Sequence, residues 1–182
     1  DNKHLERDRR QRKKRMFKKF VPEDVSGESQ VKTSVARGVR NKIVEQFPNL
    51  EAYIDEIIPK KAPLHLAKCP NYLSLVVLED EVLFFNVKNG PFYPTLKLLH
   101  KYPEMMPSVQ VDKGAIKYLL AGANIMCPGL THPGSRMDVS LPAETVVAIK
   151  AEGKEHALAV ALLHMSTDDI RSINKGNAAE NV

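Results

Sequence analysis

Two lysines stand one helical turn apart just before a glycine, and together they could neutralise an anionic backbone. Lys113 and Lys117 follow Asp112, whose carboxylate is suited to begin a helix because it accepts the free amide protons of the first turn. Gly122 ends that helix, where a left-handed residue costs least if it is glycine. A turn without side-chain bulk lets another backbone approach closely, and the two lysines favour an anionic one.

RNA is the anionic partner that this pattern fits. Phosphate neutralisation supplies most of the affinity for RNA, whereas base edges, the 2′-hydroxyl and shape supply discrimination. We predict that the turn and the cations around it bind RNA through Lys113, Lys117, Gly122, Ala123, Asn124, Arg136 and Lys150. The alternative is that the two lysines only form a solvated helix face.

The sequence contains no recognisable catalytic or metal-binding motif. The 6 histidines lie in no nucleophile or metal motif, and His156 and His164 are predicted to lie in strands. Asp112 resembles a lone catalytic aspartate, but its position favours a helix cap. Cys127, in an apolar run, is interpreted as a small buried side chain. We therefore predict a protein that is not an enzyme and has no cofactor, metal or small-molecule substrate.

Helices and three strand-like runs are predicted in the first part of the chain. Residues 29–58 are typical of helices, with a cap at Thr33 or Ser34 and an apolar repeat of four residues at Val35, Val39, Ile43 and Phe47. Strands are predicted at 64–68, 73–78 and 82–87, and a short helix at 95–100. Pro103 and Pro107 then indicate a domain boundary, with a second unit beginning near Ser108.

The second unit begins with a short strand at 109–111 and the helix that Asp112 caps. Asn124 to Cys127 form an apolar strand, Pro128-Gly129 is a turn, and 128–142 is a long loop. Two more strands, 145–149 and 157–164, precede a last helix that Ser166 begins and Gly176 ends. The predicted fold class is α+β, with an N-terminal α+β domain followed by a small mixed β-barrel.

The segment 111–130 resembles the opening of a PUA domain, an RNA-binding module in which an Asp-x-Gly-Ala start leads through one helix to a Gly-Ala turn against RNA. Further motifs resemble the malignant T-cell-amplified sequence family. They are Met16-Phe17-Lys18-Lys19-Phe20, Glu45-Gln46-Phe47-Pro48, Gly90-Pro91-Phe92-Tyr93-Pro94-Thr95, His100-Lys101-Tyr102-Pro103, Ala151-Glu152-Gly153-Lys154, His156-Ala157-Leu158 and Asn174-Lys175-Gly176. The resemblance covers residues 16–182 and implies a pre-PUA domain at 16–107 and a PUA domain at 108–182.

The resemblance also implies a role in translation. Such proteins act with density-regulated protein on the small ribosomal subunit, where they release deacylated tRNA, promote reinitiation and support non-standard initiation. Ligatin resembles the two proteins fused, and this chain matches its N-terminal half. The implied contacts are ribosomal RNA or tRNA for the PUA domain, and the partner or the ribosome for the first domain. The candidate docking cations are Arg37, Arg40, Lys60, Lys61, Lys97 and Lys101.

The positive charge of the chain lies almost entirely in its first residues. The net charge is +5, from 27 Lys and Arg against 22 Asp and Glu, and residues 1–15 carry 8 cations against 3 acids. Residues 16–182 therefore sum to zero, with 19 of each sign. We predict that 1–15 is a disordered leader and not native; the alternative is a natural RNA-binding or nuclear-import arm.

The remaining sequence features predict the cellular compartment of the protein and leave two alternative functions open. No apolar run is long enough to span a membrane, and the 2 cysteines fit no disulfide framework, so a cytoplasmic protein without membrane contact is predicted. The rivals are an accessory subunit of an RNA-modification enzyme and a growth-regulating protein-interaction module.

Two features depart from the family pattern. Ala161 stands where a glycine is usual in a late strand, and its methyl group either narrows the groove beside Gly122 or faces the core. The chain ends at Val182, where relatives continue, so the PUA domain is predicted to be C-terminally truncated.

Overall fold

A computed structural model describes residues 20–182, which form two five-stranded sheets and several short helices. The predicted leader, residues 1–15, lies outside these described residues, as do residues 16–19 of the first unit. The architecture is a mixture of α and β elements, as the sequence predicts. Within the described residues no helix is long and apolar enough to cross a membrane.

The first sheet is an antiparallel meander. Its strands follow one another in space as they do in sequence: β1 (Gly27–Gln30), β2 (His65–Cys69), β3 (Leu73–Leu78), β4 (Glu81–Val87) and β5 (Tyr93–Pro94). The helices of this half are α1 (Thr33–Gln46), α2 (Ile54–Ile57) and α3 (Leu96–Lys101), with 3-10 turns at Pro22–Asp24, Pro48–Leu50 and Pro70–Tyr72.

The second sheet is mixed and has the spatial order β6-β8-β9-β10-β7. Its strands are β6 (Ser108–Val111), β7 (Ile125–Met126), β8 (Val146–Ala151), β9 (Ala159–Leu163) and β10 (Asn177–Asn181). A 3-10 turn (Lys113–Ala115) leads into α4 (Ile116–Leu120), and α5 (Pro128–Thr131) and α6 (Thr167–Ile173) complete the unit. Among the described residues β6 and β8 are the parallel pair, and the sheet curls into a half-barrel, in agreement with the predicted α+β fold.

Helix α1 confirms the predicted helix but corrects its cap and its apolar face. Lys32 is the N-cap, and no side chain caps the helix, so neither Thr33 nor Ser34 does so. Val35 is 45% exposed, whereas Ile43 is buried. A repeat of exactly four residues drifts around a helix that has 3.6 residues per turn, so the first member of the series leaves the buried face.

Strand β1 was not predicted, and its last two residues, Ser29 and Gln30, lie in the range 29–58 predicted as helical. The strand has no apolar residues to reveal it. All four of its residues are exposed at the edge of the first sheet. Pairing with β2 holds it, supported by a hydrogen bond from the Ser26 hydroxyl to the Lys68 carbonyl (2.7 Å) and by a Glu28–His65 contact (2.9 Å). Backbone pairing decides this strand, and apolar periodicity cannot detect it.

One apolar core runs through both halves of the chain. Leu98, Leu99 and Met105 from the first half pack in the same cluster as Ala148 and Val160 from the second. Strand β8 divides its side chains between two cores, because residues on a strand alternate between its faces. Val147 and Ile149 enter the core of the second unit, whereas Ala148 enters the shared one.

Polar contacts reinforce this shared core. The Nε2 of His100, near the end of α3, lies 2.8 Å from the carbonyl oxygen of Ala157, and its ring lies 5.3 Å from that of His156. Burial, followed by the carboxylates of Glu180 and Glu144 from the second half, raises the pKa of the Tyr93 phenol to about 12. The two halves are therefore packed together as one structural unit.

The structure confirms the predicted cap at Ser166 and refines three other local predictions in the second half. Ala161 is fully buried in the core of that unit, so its methyl group faces the core and does not narrow a groove. Ser166 caps α6 as predicted, by accepting a hydrogen bond from the Asp169 amide (3.1 Å). The helix ends at Asn174, which has a φ of 45°, two residues before the predicted Gly176. Residues 128–131 form a helical turn instead of the simple turn expected.

Candidate nucleic-acid interface

The turn around Gly122 has the geometry that the sequence predicts. The Asp112 carboxylate accepts a hydrogen bond from the Ala115 amide (2.7 Å) and so begins the helix. At the other end, the Gly122 amide donates to the Leu119 carbonyl and the Ala123 amide to the Tyr118 carbonyl, both at 2.9 Å. This pair of bonds is a Schellman motif, and it requires the left-handed φ of 80° that Gly122 adopts.

The last strand supports this turn from behind. The side-chain amide of Asn181, in β10, donates to the carbonyl oxygens of Leu119 (2.9 Å) and Ala123 (3.2 Å). The backbone amide of Asn181 donates to Oδ1 of Asn124 (3.4 Å) and so orients the Asn124 side chain. The turn is thus fixed at three points by a residue far away in sequence.

An open groove of about 910 Å³ lies beside the turn. Helix α4, strand β7 and helix α5 form its walls, and it is lined among others by Asp112, Lys117, Tyr118, Asn124, Met126, His132 and Asn177. The lining combines apolar surface with a few polar groups, as is usual for binding sites.

Tyr118 and Lys117 form an exposed aromatic and cationic pair at this groove. The ring of Tyr118 is 59% exposed, and the Nζ of Lys117 lies 4.9 Å from its centroid. An exposed aromatic ring beside a cation suits RNA, since unstacked bases stack on aromatic side chains. Sequence analysis missed Tyr118; its signal was an aromatic residue on the helix, off the apolar stripe.

Only three of the seven predicted RNA-binding residues line the groove. These are Lys117, Ala123 and Asn124. Gly122 is exposed in the turn but does not line the groove, and a β-carbon added to it would meet no atom within 4 Å. The side chain of Lys113 extends towards Gly153, where its Cε would lie 3.7 Å from a β-carbon placed on that glycine.

Arg136 and Lys150 lie away from the groove, which corrects their placement in one site with Lys117. Arg136 forms an ion pair with Asp138 (2.8 Å) and borders a separate depression of about 280 Å³ that also contains Arg171. Lys150, on β8, belongs to the strand face that carries Ala148, and this face is directed at the shared core. Gln110 pairs with Lys150 on one side and with Arg136 on the other, so these two cations lie on one face of the second sheet.

An acidic side chain also lines the groove. Asp112 uses one oxygen for the helix cap, and its other oxygen lies 3.6 Å from Nδ1 of His132. The carboxylate places negative charge in the groove that Lys117 also lines. The structure confirms that Asp112 caps the helix. It also shows that Asp112 lines the groove, which the sequence did not predict.

The side chain of Arg40 is largely buried within the first unit, which contradicts its prediction as a docking cation. Its side chain is only 11% exposed, and it contacts the Asp55 carboxylate at 2.6 Å. The same guanidinium donates to the carbonyl oxygens of Ile54 (3.4 Å) and Ile58. The bond to Ile58 satisfies a carbonyl at the C-cap of α2, whereas the Ile54 carbonyl also accepts from the Ile58 amide (2.8 Å).

We expect Arg40→Ala to lower the free energy of unfolding by about 1–3 kcal/mol, because it removes the donor to the carbonyl of the buried residue Ile58. The hydrogen bond from Arg40 is the main cause of the lowered pKa of Asp55. A lowered carboxyl pKa stabilises the fold above the ordinary value of 3.8, and this stabilisation is lost as the pH falls through the lower, folded-state pKa. In urea unfolding, the stability difference between the unchanged chain and Arg40→Ala should therefore narrow at acid pH, while the part due to the Ile58 carbonyl remains.

Arg37→Ala is the matched control, since Arg37 is an exposed arginine one turn earlier on α1. A surface substitution of this kind changes stability by no more than about 0.5 kcal/mol. Equal losses for the two variants, or a gap that does not narrow at acid pH, would contradict the internal role of Arg40.

The other docking candidates are exposed on the first unit. Lys60, Lys97 and Lys101 take part in ion pairs with Asp55 (3.5 Å), Glu81 (3.1 Å) and Glu56 (3.4 Å), respectively. Exposed pairs of this kind are weak and can be exchanged for contacts with a partner. Arg37 and Lys61 are also exposed, and they stay predictions together with these three.

The described residues offer little for covalent or metal chemistry. No group of three or more His, Cys, Asp or Glu among residues 20–182 is placed to hold a metal ion. Cys69 and Cys127 are buried, and this burial raises the pKa of both thiols. His156 and His164 lie outside the strands, next to β8 and β9, which corrects their predicted position.

Comparison with known proteins identifies both halves. A Pre-PUA-like domain model matches residues 17–103, and a PUA domain model matches residues 107–182. Malignant T-cell-amplified sequence 1-A of Xenopus laevis is 53% identical over 168 residues, which cover 92% of each chain. The chain belongs to the malignant T-cell-amplified sequence family.

The malignant T-cell-amplified sequence family extends to fungi under another name. Translation machinery-associated protein 20 of Eremothecium gossypii is 51% identical over 169 residues, covering 92% of this chain and 93% of that protein. A hypothetical protein from Pyrococcus horikoshii OT3 has the same fold, with a TM-score of 0.69 at 18% identity over 86% of this chain and 93% of its own. At that identity the likeness concerns the fold alone.

Proposed function

We propose that this chain is a non-catalytic RNA-binding translation factor of the cytoplasm. It acts with density-regulated protein on the small ribosomal subunit, in the release of tRNA during recycling, in reinitiation and in non-standard initiation. The observation that carries the RNA-binding part is the groove in which Lys117, Tyr118 and Asn124 converge beside the Gly122 turn. A cation, an aromatic face and an oriented amide are the groups that bind phosphate, base stack and base edge.

The names of relatives support the translational part. A fungal protein with 51% identity to this chain is named for its association with the translation machinery. The absence of a recognisable catalytic motif in the sequence fits a protein that positions RNA and a partner without carrying out a reaction.

The distribution of charge supports a dependence on partners. Residues 16–182 carry no net charge, with 19 cations and 19 acids. Nonspecific RNA affinity comes from neutralised phosphates, so a neutral fold binds free RNA weakly. Density-regulated protein and the ribosome then supply most of the affinity, through contacts that include exposed cations of the first unit such as Lys61 and Lys97.

Sucrose-gradient sedimentation with purified small subunits tests this proposal. We expect the chain to sediment with the subunit when density-regulated protein is present. We also expect it to restore reinitiation and tRNA release in a cell extract from which the native protein has been removed. Gly122→Val should weaken subunit association about tenfold, the equivalent of one lost close contact. The added β-carbon meets no neighbouring atom, so its bulk can act on the partner, whereas the left-handed φ of +80° strains the backbone of the variant.

Gly176→Val controls for backbone strain. Gly176 also has a left-handed φ, +92°, and a β-carbon there also meets nothing within 4 Å. Its variant should therefore carry a similar strain without bulk at the Gly122 turn. A chain that stays at the top of the gradient with density-regulated protein present would contradict the proposed function.

A further inference from the structure

Two tyrosine rings meet on the surface of the first unit. Tyr53, just before α2, is 47% exposed, and its ring centroid lies 5.5 Å from that of Tyr102, just after α3. Tyr102 is held in place, because its side chain packs against the shared core and its amide donates to the Leu98 carbonyl (3.0 Å). The pair therefore presents a fixed aromatic surface to the solvent.

A carboxylate borders this aromatic surface. The Tyr102 hydroxyl donates to Oε1 of Glu56 (2.5 Å). This hydrogen bond, followed by the one from Lys101, lowers the pKa of the Glu56 carboxyl, so the group is ionised at neutral pH. The Glu56 side chain is exposed and both contacts use Oε1, which leaves its other oxygen to accept from a ligand.

An ammonium group of the chain itself already lies at this place. Nζ of Lys101 is 5.1 Å from the centroid of the Tyr102 ring and 3.4 Å from Oε1 of Glu56. The face of an aromatic ring attracts cations, and a carboxylate beside the ring adds to that attraction. The lysine side chain is 64% exposed, so its contacts are weak and can be exchanged. Lys101 thus shows which class of group the surface accepts.

The charges beside the two tyrosines favour a further cation. Glu51 and Glu104 are exposed and lie two positions from Tyr53 and Tyr102 in sequence. Within residues 20–182 neither of these two glutamates forms an ion pair. An anionic strand such as RNA is repelled by this surface, whereas a basic segment of a protein is attracted to it.

We propose that Tyr53, Tyr102 and Glu56 form a binding site for an arginine side chain of a partner protein. The guanidinium group stacks on the exposed face of Tyr53 and donates to the carboxylate of Glu56, and it displaces the ammonium group of Lys101. This inference goes beyond the RNA-binding function and does not depend on it, because it concerns a ligand of opposite charge on the other unit.

Arginine is favoured over lysine because the site already contains a lysine. A lysine of the partner would make only the contacts that Lys101 makes, and Lys101 has the high effective concentration of an attached group. A guanidinium group offers more: it is planar, stacks on aromatic faces and presents several N–H donors to one carboxylate. It can therefore replace the internal ammonium group where another ammonium group cannot.

Three blocked tripeptides test this inference on the full chain. They carry arginine, lysine or citrulline between two glycines, and citrulline has the shape of arginine without its charge. Nuclear magnetic resonance of isotope-labelled tyrosine rings should show the arginine peptide shifting the signals of Tyr53 and Tyr102. Its affinity should be about tenfold higher than that of the citrulline peptide, the effect of one hydrogen bond between charged groups.

Two outcomes of this titration would overturn the inference. Signals of Tyr53 and Tyr102 that do not move, or equal affinities for the arginine and citrulline peptides, would show that no cation site exists there. Equal affinities for the arginine and lysine peptides would overturn the assignment to arginine. Neither result bears on the groove of the second unit, whose function is measured with RNA and the ribosomal subunit.

Removal of the internal ammonium group should strengthen binding. Lys101→Met keeps the length of the side chain but not its charge, so the arginine peptide should bind severalfold more tightly. Lys97→Met is the matched control, because Lys97 is an exposed lysine of the same helix that pairs with Glu81 (3.1 Å) instead. Equal gains for the two variants would mean that only the net charge acts, and would overturn the displacement of Lys101.

Substitution of Tyr53 tests the stacking face. Tyr53→Leu should weaken the arginine peptide roughly threefold, the effect of one exposed contact between a cation and an aromatic ring. Tyr72→Leu is the control: Tyr72 is 75% exposed and has Lys88 5.6 Å from its ring, but it belongs to a different turn of the first unit. Equal effects of the two substitutions would overturn the placement of the guanidinium group on Tyr53.

Discussion

Reversal of one charge, Lys117→Glu, is expected to lower the affinity of the chain for short single-stranded RNA by roughly ten- to thirtyfold. Lys117 is the one predicted cation that lines the groove, and Asp112 lines it too. If the groove binds RNA as proposed, glutamate at this position removes a phosphate contact and gives the groove a second carboxylate. Arg136 and Lys150 do not line the groove and so do not replace the lost charge.

The salt dependence of binding checks the cause of this loss. A lost phosphate contact should reduce the slope of log affinity against log salt by about 0.7 for single-stranded RNA. Lys88→Glu is the control, because Lys88 is an exposed lysine over a tyrosine ring in the first unit. Equal losses for the two variants would mean that the RNA does not enter the groove.

Removal of the negative charge of Asp112 should have the opposite effect and raise the affinity of the chain for single-stranded RNA. Asparagine also caps helices well, so Asp112→Asn keeps the hydrogen bond to the Ala115 amide while it removes the negative charge. RNA affinity should therefore rise severalfold without loss of stability. A fall in affinity would show that the carboxylate, and not only the cap, takes part in binding.

Truncation of one leucine in the shared core is expected to destabilise both halves of the chain. Leu99 is 1% exposed, and it belongs to the cluster that joins α3 to strands β8 and β9. Leu99→Ala should lower the free energy of unfolding by about 2–5 kcal/mol, because it removes buried apolar atoms and leaves a cavity. Because this core is shared, we expect the two halves to unfold together. The loss of stability should therefore be the same in the first sheet and in the second.

Hydrogen exchange monitored by mass spectrometry makes this measurement, since it reports on each sheet separately. The slowest amides of β3 and of β8 should lose protection to the same extent. Leu120→Ala is the control, because Leu120 is 67% exposed and its truncation should have almost no effect. Protection of β8 that stays at its original level in Leu99→Ala would show that the halves unfold independently.

Local signals allowed the sequence to predict the turn correctly. The cap at Asp112, the helix and the left-handed glycine depend on residues within about ten positions of one another, and the structure confirms each of them. The same holds for Ser166, whose capping role follows from its own hydroxyl. Backbone geometry of this kind is set by residues that are close in sequence.

The groove itself depends on residues that are distant in sequence. Asn177 and Asn181 come from β10, more than fifty residues after the turn, and nothing in their own surroundings marks them. Tyr118 gave a local signal, but only the structure shows that it faces a groove. A sequence identifies candidate groups, whereas the pairing of distant strands decides which of them meet.

The charged residues show the same limit. Arg40 and Arg37 lie one turn apart on α1, yet one is enclosed by carbonyl oxygens and a carboxylate while the other is exposed. Lys150 was assigned to RNA from its charge alone. Its side of β8 is determined by the shared core, and that core was not predicted because its members come from two apparent domains.

The shared core also affects how a weak RNA site can act. Within residues 20–182 the groove is held to the first unit, since the core behind the groove and the shared cluster both take side chains from β8. Once another surface of the chain is held by a larger assembly, the groove is confined to a small volume with a fixed orientation. Its effective concentration towards a nearby RNA strand then rises, so a contact too weak to persist in solution can be occupied without any gain in intrinsic strength.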